Sequence, residues 1–225
     1  MDSELMDWDS IYREEGGFPG PPPWNIGEPQ PELATLIRDG KLTGVVLDAG
    51  CGHAELSLTL AAAGSTVVGI DLSPTAIAAA AKAAEERGLS SATYLCADIT
   101  SFTGYDGRFD TIVDSTLFHS LPVEARDAYL RSIHRAAAPD AKLYVLVFSK
   151  GAFPPDLDAK PNEVDEDELR SAVSKHFVID YIRPAYIHAY QPEIPDIPAA
   201  AARFDLDEKG RTKMPAFLLS AHKEA

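Results

Sequence analysis

Val45-Val46-Leu47-Asp48-Ala49-Gly50-Cys51-Gly52-His53-Ala54-Glu55 reads as a strand, a tight turn and the start of a helix. A short aliphatic run ends in an acid, two glycines follow one residue apart, and a helix-forming segment continues to Ala63. Glycines at 50 and 52 let the backbone turn sharply and let a ligand approach without meeting a Cβ, so the turn is predicted to be a binding loop. A dinucleotide fingerprint would place a third glycine three residues after Gly52, where this chain has Glu55. Carboxylates at Asp48 and Glu55 disfavour a pyrophosphate and favour a ligand with a positive end, such as an ammonium or a sulfonium.

Beyond the loop, Ser65 to Asp71 reads as a buried strand closed by an acid. Asp71 falls about 20 residues past the glycines, the distance at which a strand-end acid accepts hydrogen bonds from a ribose diol. Ser73-Pro74 supplies an N-cap and a first-turn proline, Gly88 the stop, and Ile77, Ala80, Ala81 and Ala84 a helical stripe. Ala92 to Ile99 makes a third strand with Asp98 near its end; that acid could equally cap the turn at Thr100-Ser101. Phe109 to Asp114 is a fourth strand, running into Ser115-Thr116-Leu117-Phe118-His119-Ser120-Leu121-Pro122, where Pro122 opens a helix to about Ala136. Lys142 to Ser149 is the fifth. A proline-rich loop from Gly151 to Asn162 and an acidic helix from Glu163 to Lys175 follow. Phe177 to Tyr190 is a sixth strand whose Pro184 requires an edge or a bend, and Pro215 to His222 a seventh. The roughly 24 residues between these last two, with Pro192, Pro195 and Pro198, are expected beside the substrate mouth.

Strands and helices in alternation, with a final pair joined without a helix, predict an α/β fold. It is a seven-stranded, mostly parallel, doubly wound Rossmann-like sheet with one antiparallel strand. Ligands of such sheets bind beyond the carboxyl ends of the strands, which places residues 115 to 119 at the reacting group.

Ahead of the first strand, Glu32 to Asp39 forms a short helix stopped by Gly40, and Leu5 to Glu15 could form another. Glycines and prolines exclude a long element between 16 and 31. Trp8, Tyr12, Phe18 and Trp24 are a heavy aromatic load for a disordered tail, so residues 1–31 are expected to fold over the pocket as a lid.

The 225 residues suit one domain over residues 1–225. With 20 basic against 35 acidic side chains the charge is −15, which argues against nucleic-acid or anionic-membrane partners and for a small molecule. Cys51 and Cys96 have no metal-ligand spacing and are expected to be reduced, and no metal is expected. No apolar run is long enough to span a bilayer and the acidic start is unlike a signal peptide, so a cytoplasmic monomer or homodimer is expected.

The acid-Ala-Gly-x-Gly motif at 48–52 resembles the S-adenosylmethionine (SAM) pocket of class I methyltransferases, and the resemblance runs from about Trp8 to the C-terminus. It is nearest to the bacterial heterocyclic toxin methyltransferases, within a thiopurine- and tellurite-methyltransferase-like branch. The shared runs are Pro-Trp-Asn-Ile-Gly-Glu-Pro-Gln-Pro at 23–31, Asp-Ala-Gly-Cys-Gly-His-Ala-Glu at 48–55, Ser-Thr-Leu-Phe-His-Ser-Leu-Pro at 115–122 and Lys-Pro-Asn-Glu-Val-Asp-Glu at 160–166. Pro139-Asp140 departs from the usual Pro-Gly.

The resemblance implies methyl transfer from SAM, leaving S-adenosylhomocysteine, to a small planar heteroaromatic such as an N-hydroxy-alkylquinolone. It implies cofactor binding by Asp48, Gly50, Gly52, His53, Asp71, Leu72 and Ser115, with Trp24 covering. Asp98 is expected to accept from the adenine amino group and the Ile99 amide to reach a ring nitrogen. Trp24, Phe18 and Phe118 would sandwich a flat ring, with Tyr12 also on the substrate side. His119 is the candidate base, since an imidazole accepts a proton near neutrality. Two rivals are a nicotinamide-dependent oxidoreductase, opposed by Asp48 and the missing glycine, and a SAM-binding protein without catalysis.

Overall fold

The computed structural model describes residues 7–15, 21–153, 161–190 and 204–225. Phe18, the loop segment 154–160 and Pro192, Pro195 and Pro198 lie outside the described residues.

β1 (Val45–Ala49) lies at the middle of the sheet, paired in parallel with β2 (Thr66–Asp71) on one side and β4 (Phe109–Ser115) on the other. β3 (Ala92–Cys96) extends the sheet beside β2, and β5 (Ala137–Phe148) beside β4. β7 (Thr212–His222) runs antiparallel to β5 and to β6 (Val178–Ala189) and lies between them. The strand order is therefore β3-β2-β1-β4-β5-β7-β6, with the direction of winding reversing at β1 and β4. Pro184 sits in β6, which pairs with β7 alone, so the strand that lacks one amide donor is an edge strand as expected.

Alternation along each strand divides its apolar residues between two faces. Leu47, Ile70, Ile112 and Val145 pack with α5 (Arg126–Ala136) and α6 (Glu166–Val173) through Leu130, Ile133, Leu169 and Val173. Val46, Val67, Val113 and Leu146 pack with α2 (Pro31–Arg38) and α3 (Glu55–Ala62) through Leu33, Leu36, Leu56 and Leu60. α4 (Pro74–Glu86) lays the small residues Ala80 and Ala84 against Leu58 of α3. Near the N-terminus, the expected helix is the single short α1 (Trp8–Tyr12). Among the described residues no helix is long and apolar enough to cross a membrane.

Several boundaries move for local reasons. The third strand stops at Cys96 because Asp98 turns back to accept from the Thr100 amide at 2.8 Å and its hydroxyl at 2.7 Å. The acidic helix begins at Glu166 because Asp165 caps it, accepting from the Glu168 amide at 2.7 Å. The fifth strand starts early, at Ala137, and its register against β4 slips between Phe109 and Thr111. Asp140 in that irregular stretch has φ of 61°, a left-handed conformation that explains why glycine is the usual residue there. Replacing the exposed Asp140 by glycine should stabilise the protein by roughly 0.5–1 kcal/mol by removing Cβ strain. Urea unfolding of Asp140→Gly measures this, and a lower midpoint would show that Asp140 makes a compensating interaction.

Candidate active site

The cleft opens at the carboxyl ends of β1 and β4, where the sheet reverses, as an open α/β sheet requires. It holds about 620 Å³ of empty space, part of it open to solvent, within the range of small-molecule sites. Asp48, Gly50, Cys51, Gly52, His53, Ala54 and Glu55 form its floor, and Ser115 and Thr116 one wall. Tyr12, Trp24, Asn25, Glu28, Pro29 and Gln30 close it from the N-terminal side.

Buried carboxylates hold the floor in place. Asp71 is 9 % exposed; one oxygen accepts from the Gly52 amide at 2.8 Å and the other from the Ser73 amide at 2.9 Å. Asp48 is 2 % exposed and accepts from the Ser57 hydroxyl of α3 at 2.6 Å. Burial raises the proton affinity of both, Asp48 to a pKa of about 6, against the opposing hydrogen bonds. Burial and the neighbouring acids also push the Cys51 thiol well up, so it is no thiolate nucleophile. Glu55 lies 3.6 Å from Arg87 and is partly neutralised.

Both loop glycines have positive φ, 69° at Gly50 and 52° at Gly52. The space that a side chain would fill is taken by protein. A Cβ at Gly50 would lie 2.8 Å from Leu117 Cδ1, and one at Gly52 would lie 2.5 Å from the Tyr12 hydroxyl. Tyr12 thus stands on the glycine loop while also lining the cleft. Its hydroxyl is hydrogen-bonded by the Trp24 side chain, and burial with Asp71 nearby raises its proton affinity. His53 meets the Tyr12 ring edge-on at 5.0 Å, and its Nδ1 pairs with Asn25 Nδ2 at 2.7 Å. Asp9 of α1 accepts from the Ser73 hydroxyl at 2.6 Å and the Thr75 amide at 3.0 Å, fastening α1 to the start of α4.

The N-terminal segment is also bound to the far strands. Gln30 pairs with the backbone of His188 at 2.8 and 2.9 Å, and Glu28 bonds Arg211 at 2.6 Å and Lys209 at 2.7 Å. The sequence gives no individual role to Asn25, Glu28 or Gln30, and places Thr116 only within the stretch 115–119 at the reacting group. The first three lie in the quoted run at 23–31 and Thr116 in the run at 115–122, which were the available signals.

The wall is set by Asp114, fully buried at the end of β4. One oxygen accepts from the Leu117 amide at 2.8 Å and the Phe118 amide at 3.2 Å, and the other from the Tyr129 hydroxyl at 2.8 Å. The turn so formed sends Phe118 and His119 inward, which overturns two expectations. Phe118 is fully buried against Tyr129, with the Arg126 guanidinium 4.7 Å over its ring, and cannot sandwich a substrate. His119 is 2 % exposed and accepts at Nδ1 from the Phe148 amide at 3.3 Å. Burial, with Arg126 adding to it, holds its pKa down to about 3. Nδ1 is therefore occupied and the ring proton sits on Nε2, so the imidazole has no free site to accept a proton and is not the base.

At the outer end, Leu72 is 58 % exposed beside Asp71. Asp98 is exposed, and one of its oxygens is committed to Thr100. The Ile99 side chain is buried in the core, leaving only its backbone to face a ligand. These three do not line the enclosed cleft. Among the described residues no cluster of side chains has the makings of a metal site.

A nucleotide-type α/β sheet with an acid-lined cleft at its switch point defines the class of protein. The family described as methyltransferase domain matches residues 46–140. Along its whole length the chain is 51 % identical over 228 residues to the 2-heptyl-1-hydroxyquinolin-4(1H)-one methyltransferase of Mycobacteroides abscessus, covering 100 % of each. Thiocyanate methyltransferase 1 of Brassica oleracea is 30 % identical over 145 residues, 60 % of this chain and 62 % of that one. A protein solved in work on the conversion of a disulfide bond into a thioacetal group during echinomycin biosynthesis superposes with TM-score 0.83 at 32 % identity, covering 98 % of this chain and 92 % of its own. The Burkholderia thailandensis 1,6-didemethyltoxoflavin-N1-methyltransferase shares the fold, with TM-score 0.60 at 22 % identity over 87 % of this chain and 77 % of its own. The chain belongs to the SAM-dependent methyltransferases.

Asp114 offers a test of the wall. Burial raises its pKa to about 7, so between about pH 4 and 7 the folded protein keeps a proton that the unfolded chain has released. Stability from this group is lost as pH rises through that window. Asp114→Asn carries no such proton, and Tyr129 can accept from the new amide. The stability of the variant relative to wild type should therefore rise from pH 4 to 7, by at most about 1.4 kcal/mol per pH unit. Denaturant titrations across this range test it; a constant difference would show that Asp114 is ionised throughout.

Proposed function

We propose that this methyltransferase acts on a small planar heteroaromatic, with the hydroxyl of an N-hydroxy-alkylquinolone as the preferred acceptor and detoxification as the outcome. The observation that carries the acceptor class is the 51 % identity over the whole of both chains with a hydroxyquinolone methyltransferase. That likeness includes the segments around the cleft that the family match at 46–140 leaves out. The acid-lined floor supports a cationic cofactor over an anionic dinucleotide, which disfavours the nicotinamide reading.

When bound, SAM supplies a methyl group on a sulfonium whose charge disappears as the new bond forms. Asp48 and the Gly50–Gly52 loop with His53 hold the amino-acid end, and Asp71, placed beside the loop, faces the ribose. Leu72, the free oxygen of Asp98 and the Ile99 amide border the adenine. Ser115 stands between cofactor and acceptor. The described N-terminal residues 7–15 and 21–31, with Tyr12 and Trp24, act as a lid within one domain. The main contribution of the chain is to hold the acceptor oxygen aligned with the methyl group, an effect worth up to ~7–11 kcal/mol. No side chain is assigned as base, because a weakly acidic N-hydroxy group ionises to solvent. Trp24 covers the flat ring.

Incubation with SAM and a panel of hydroxyquinolines, flavonols and thiopurines should give a methylated hydroxyquinoline by mass spectrometry; no product from any of them would remove this reading. Asp48→Asn should weaken SAM binding by roughly tenfold, the loss of one charge-assisted contact. Wild-type affinity should fall as pH drops through about 6, where Asp48 takes up its proton, and the variant should lose that dependence. Calorimetry with identical pH profiles would detach Asp48 from the cofactor.

A further inference from the structure

Four described residues other than glycine have positive φ: Glu14, Ala54, Thr116 and Asp140. Ala54 and Thr116 line the cleft, and only Thr116 is β-branched. Its φ is 74°, a conformation in which a branched Cβ is crowded by the backbone and which such residues avoid. Strain of this kind persists only where the surroundings over-determine it, and here they do. Thr116 donates its amide to the Leu146 carbonyl at 3.0 Å and accepts at its own carbonyl from the Ser120 hydroxyl at 2.9 Å. Asp114 clamps the next two amides. Glycine at 116 would satisfy every one of these backbone bonds without strain, so the backbone does not explain the threonine.

Internal hydrogen bonding does not explain the hydroxyl either. Thr116 is half-buried, and among the described residues its hydroxyl has no hydrogen-bond partner. It follows Ser115 at the end of β4, beside the Leu117 side chain that rests on Gly50. In the reading proposed above, this wall faces the acceptor. A strained position with a retained side chain and an unengaged hydroxyl fits a group kept for a ligand.

We propose that Thr116 is a substrate-binding residue whose hydroxyl donates a hydrogen bond to the oxygen of the heteroaromatic acceptor and so orients it for methyl transfer. This rests on the acceptor class proposed above. The strain serves to aim the hydroxyl into the cleft, where an unstrained backbone with glycine would offer none.

Three variants separate this role from a structural one. Thr116→Val keeps shape and strain but removes the hydroxyl, Thr116→Ser keeps the hydroxyl, and Thr116→Gly relieves the strain. For each, the melting temperature, calorimetric affinity for S-adenosylhomocysteine, and kcat and KM with a hydroxyquinoline are measured. The valine variant should lose roughly tenfold in kcat/KM, the value of one hydrogen bond, with product affinity unchanged within about twofold. Serine should restore most of that loss. Glycine should melt at or above the wild-type temperature yet be as impaired as valine. Unchanged kcat/KM in the valine variant would overturn the proposal, as would a fall in melting temperature with glycine, or a loss of product affinity that matches the loss of activity. Absence of turnover by wild-type protein with any heteroaromatic would instead defeat the acceptor class on which the proposal stands.

Discussion

The carboxylate of Asp71 is the constraint that the cofactor end depends on. With one oxygen it fixes the Gly52 amide and with the other the Ser73 amide, so a single buried acid sets the turn after β1 and the entry to α4. Ser73 then carries the chain of contacts outward. Its oxygen accepts from the Ala76 amide at 3.1 Å as the cap of α4, while its proton goes to Asp9. Glycine loop, second strand, following helix and N-terminal segment are joined in one network. A buried donor or acceptor left without its partner costs about 1–3 kcal/mol, so these bonds are hard to give up singly. This is why a five-residue helix, too short to be stable alone, holds a defined place over the cleft.

The same end of the sheet concentrates carboxyl groups. Asp48, Asp71 and Asp114 are all buried, and each has its proton affinity raised chiefly by desolvation. Hydrogen bonds to Ser57, to backbone amides and to Tyr129 offset part of that cost. On the N-terminal side the chain supplies its own cations, since Glu28 is paired with both Arg211 and Lys209. On the floor, beside Asp48, no lysine or arginine among the described residues lines the cleft. A ligand bearing positive charge relieves that imbalance, and one bearing phosphates worsens it.

Much of this was legible because it depends on local rules. The alternation of strands and helices, the acids closing β1 and β2, the N-cap at Ser73 and the edge placement of Pro184 follow from period, capping and proline chemistry. What failed were the directions of side chains after β4. Phe118 and His119 sit in a stretch without periodicity, and their inward turn is decided by Asp114 and Tyr129, partners 15 residues apart in sequence. Their burial depends on Arg126 and Phe148 from other elements. An aromatic beside a histidine in a loop carries no mark to distinguish a core pair from a substrate pair. The glycine loop was placed correctly but for an incomplete reason: its bare positions admit Leu117 and Tyr12, which only the packed structure reveals.

That last point gives the cleft its logic. Where another element must come close, the chain omits a side chain. Gly50 admits the β4 turn and Gly52 admits α1. Gly69, in the middle of β2, admits the Tyr94 ring and the Cys51 sulfur, which would lie 2.7 and 2.9 Å from a Cβ there. Where a residue borders the open space of the cleft, the chain keeps a side chain even at a backbone conformation suited to glycine, as at Thr116, whereas Ala54 packs its side chain into the core with Leu58 and Ala80. Local conformational preference and tertiary placement conflict at Thr116. The same conflict occurs at Asp140 in β5, away from the cleft, where only an exposed irregular stretch is at stake; at Thr116 it coincides with the wall of the cleft. At the cleft, then, glycine stands where wall meets wall, at Gly50 and Gly52, and a side chain is retained at Thr116, where the wall meets open space.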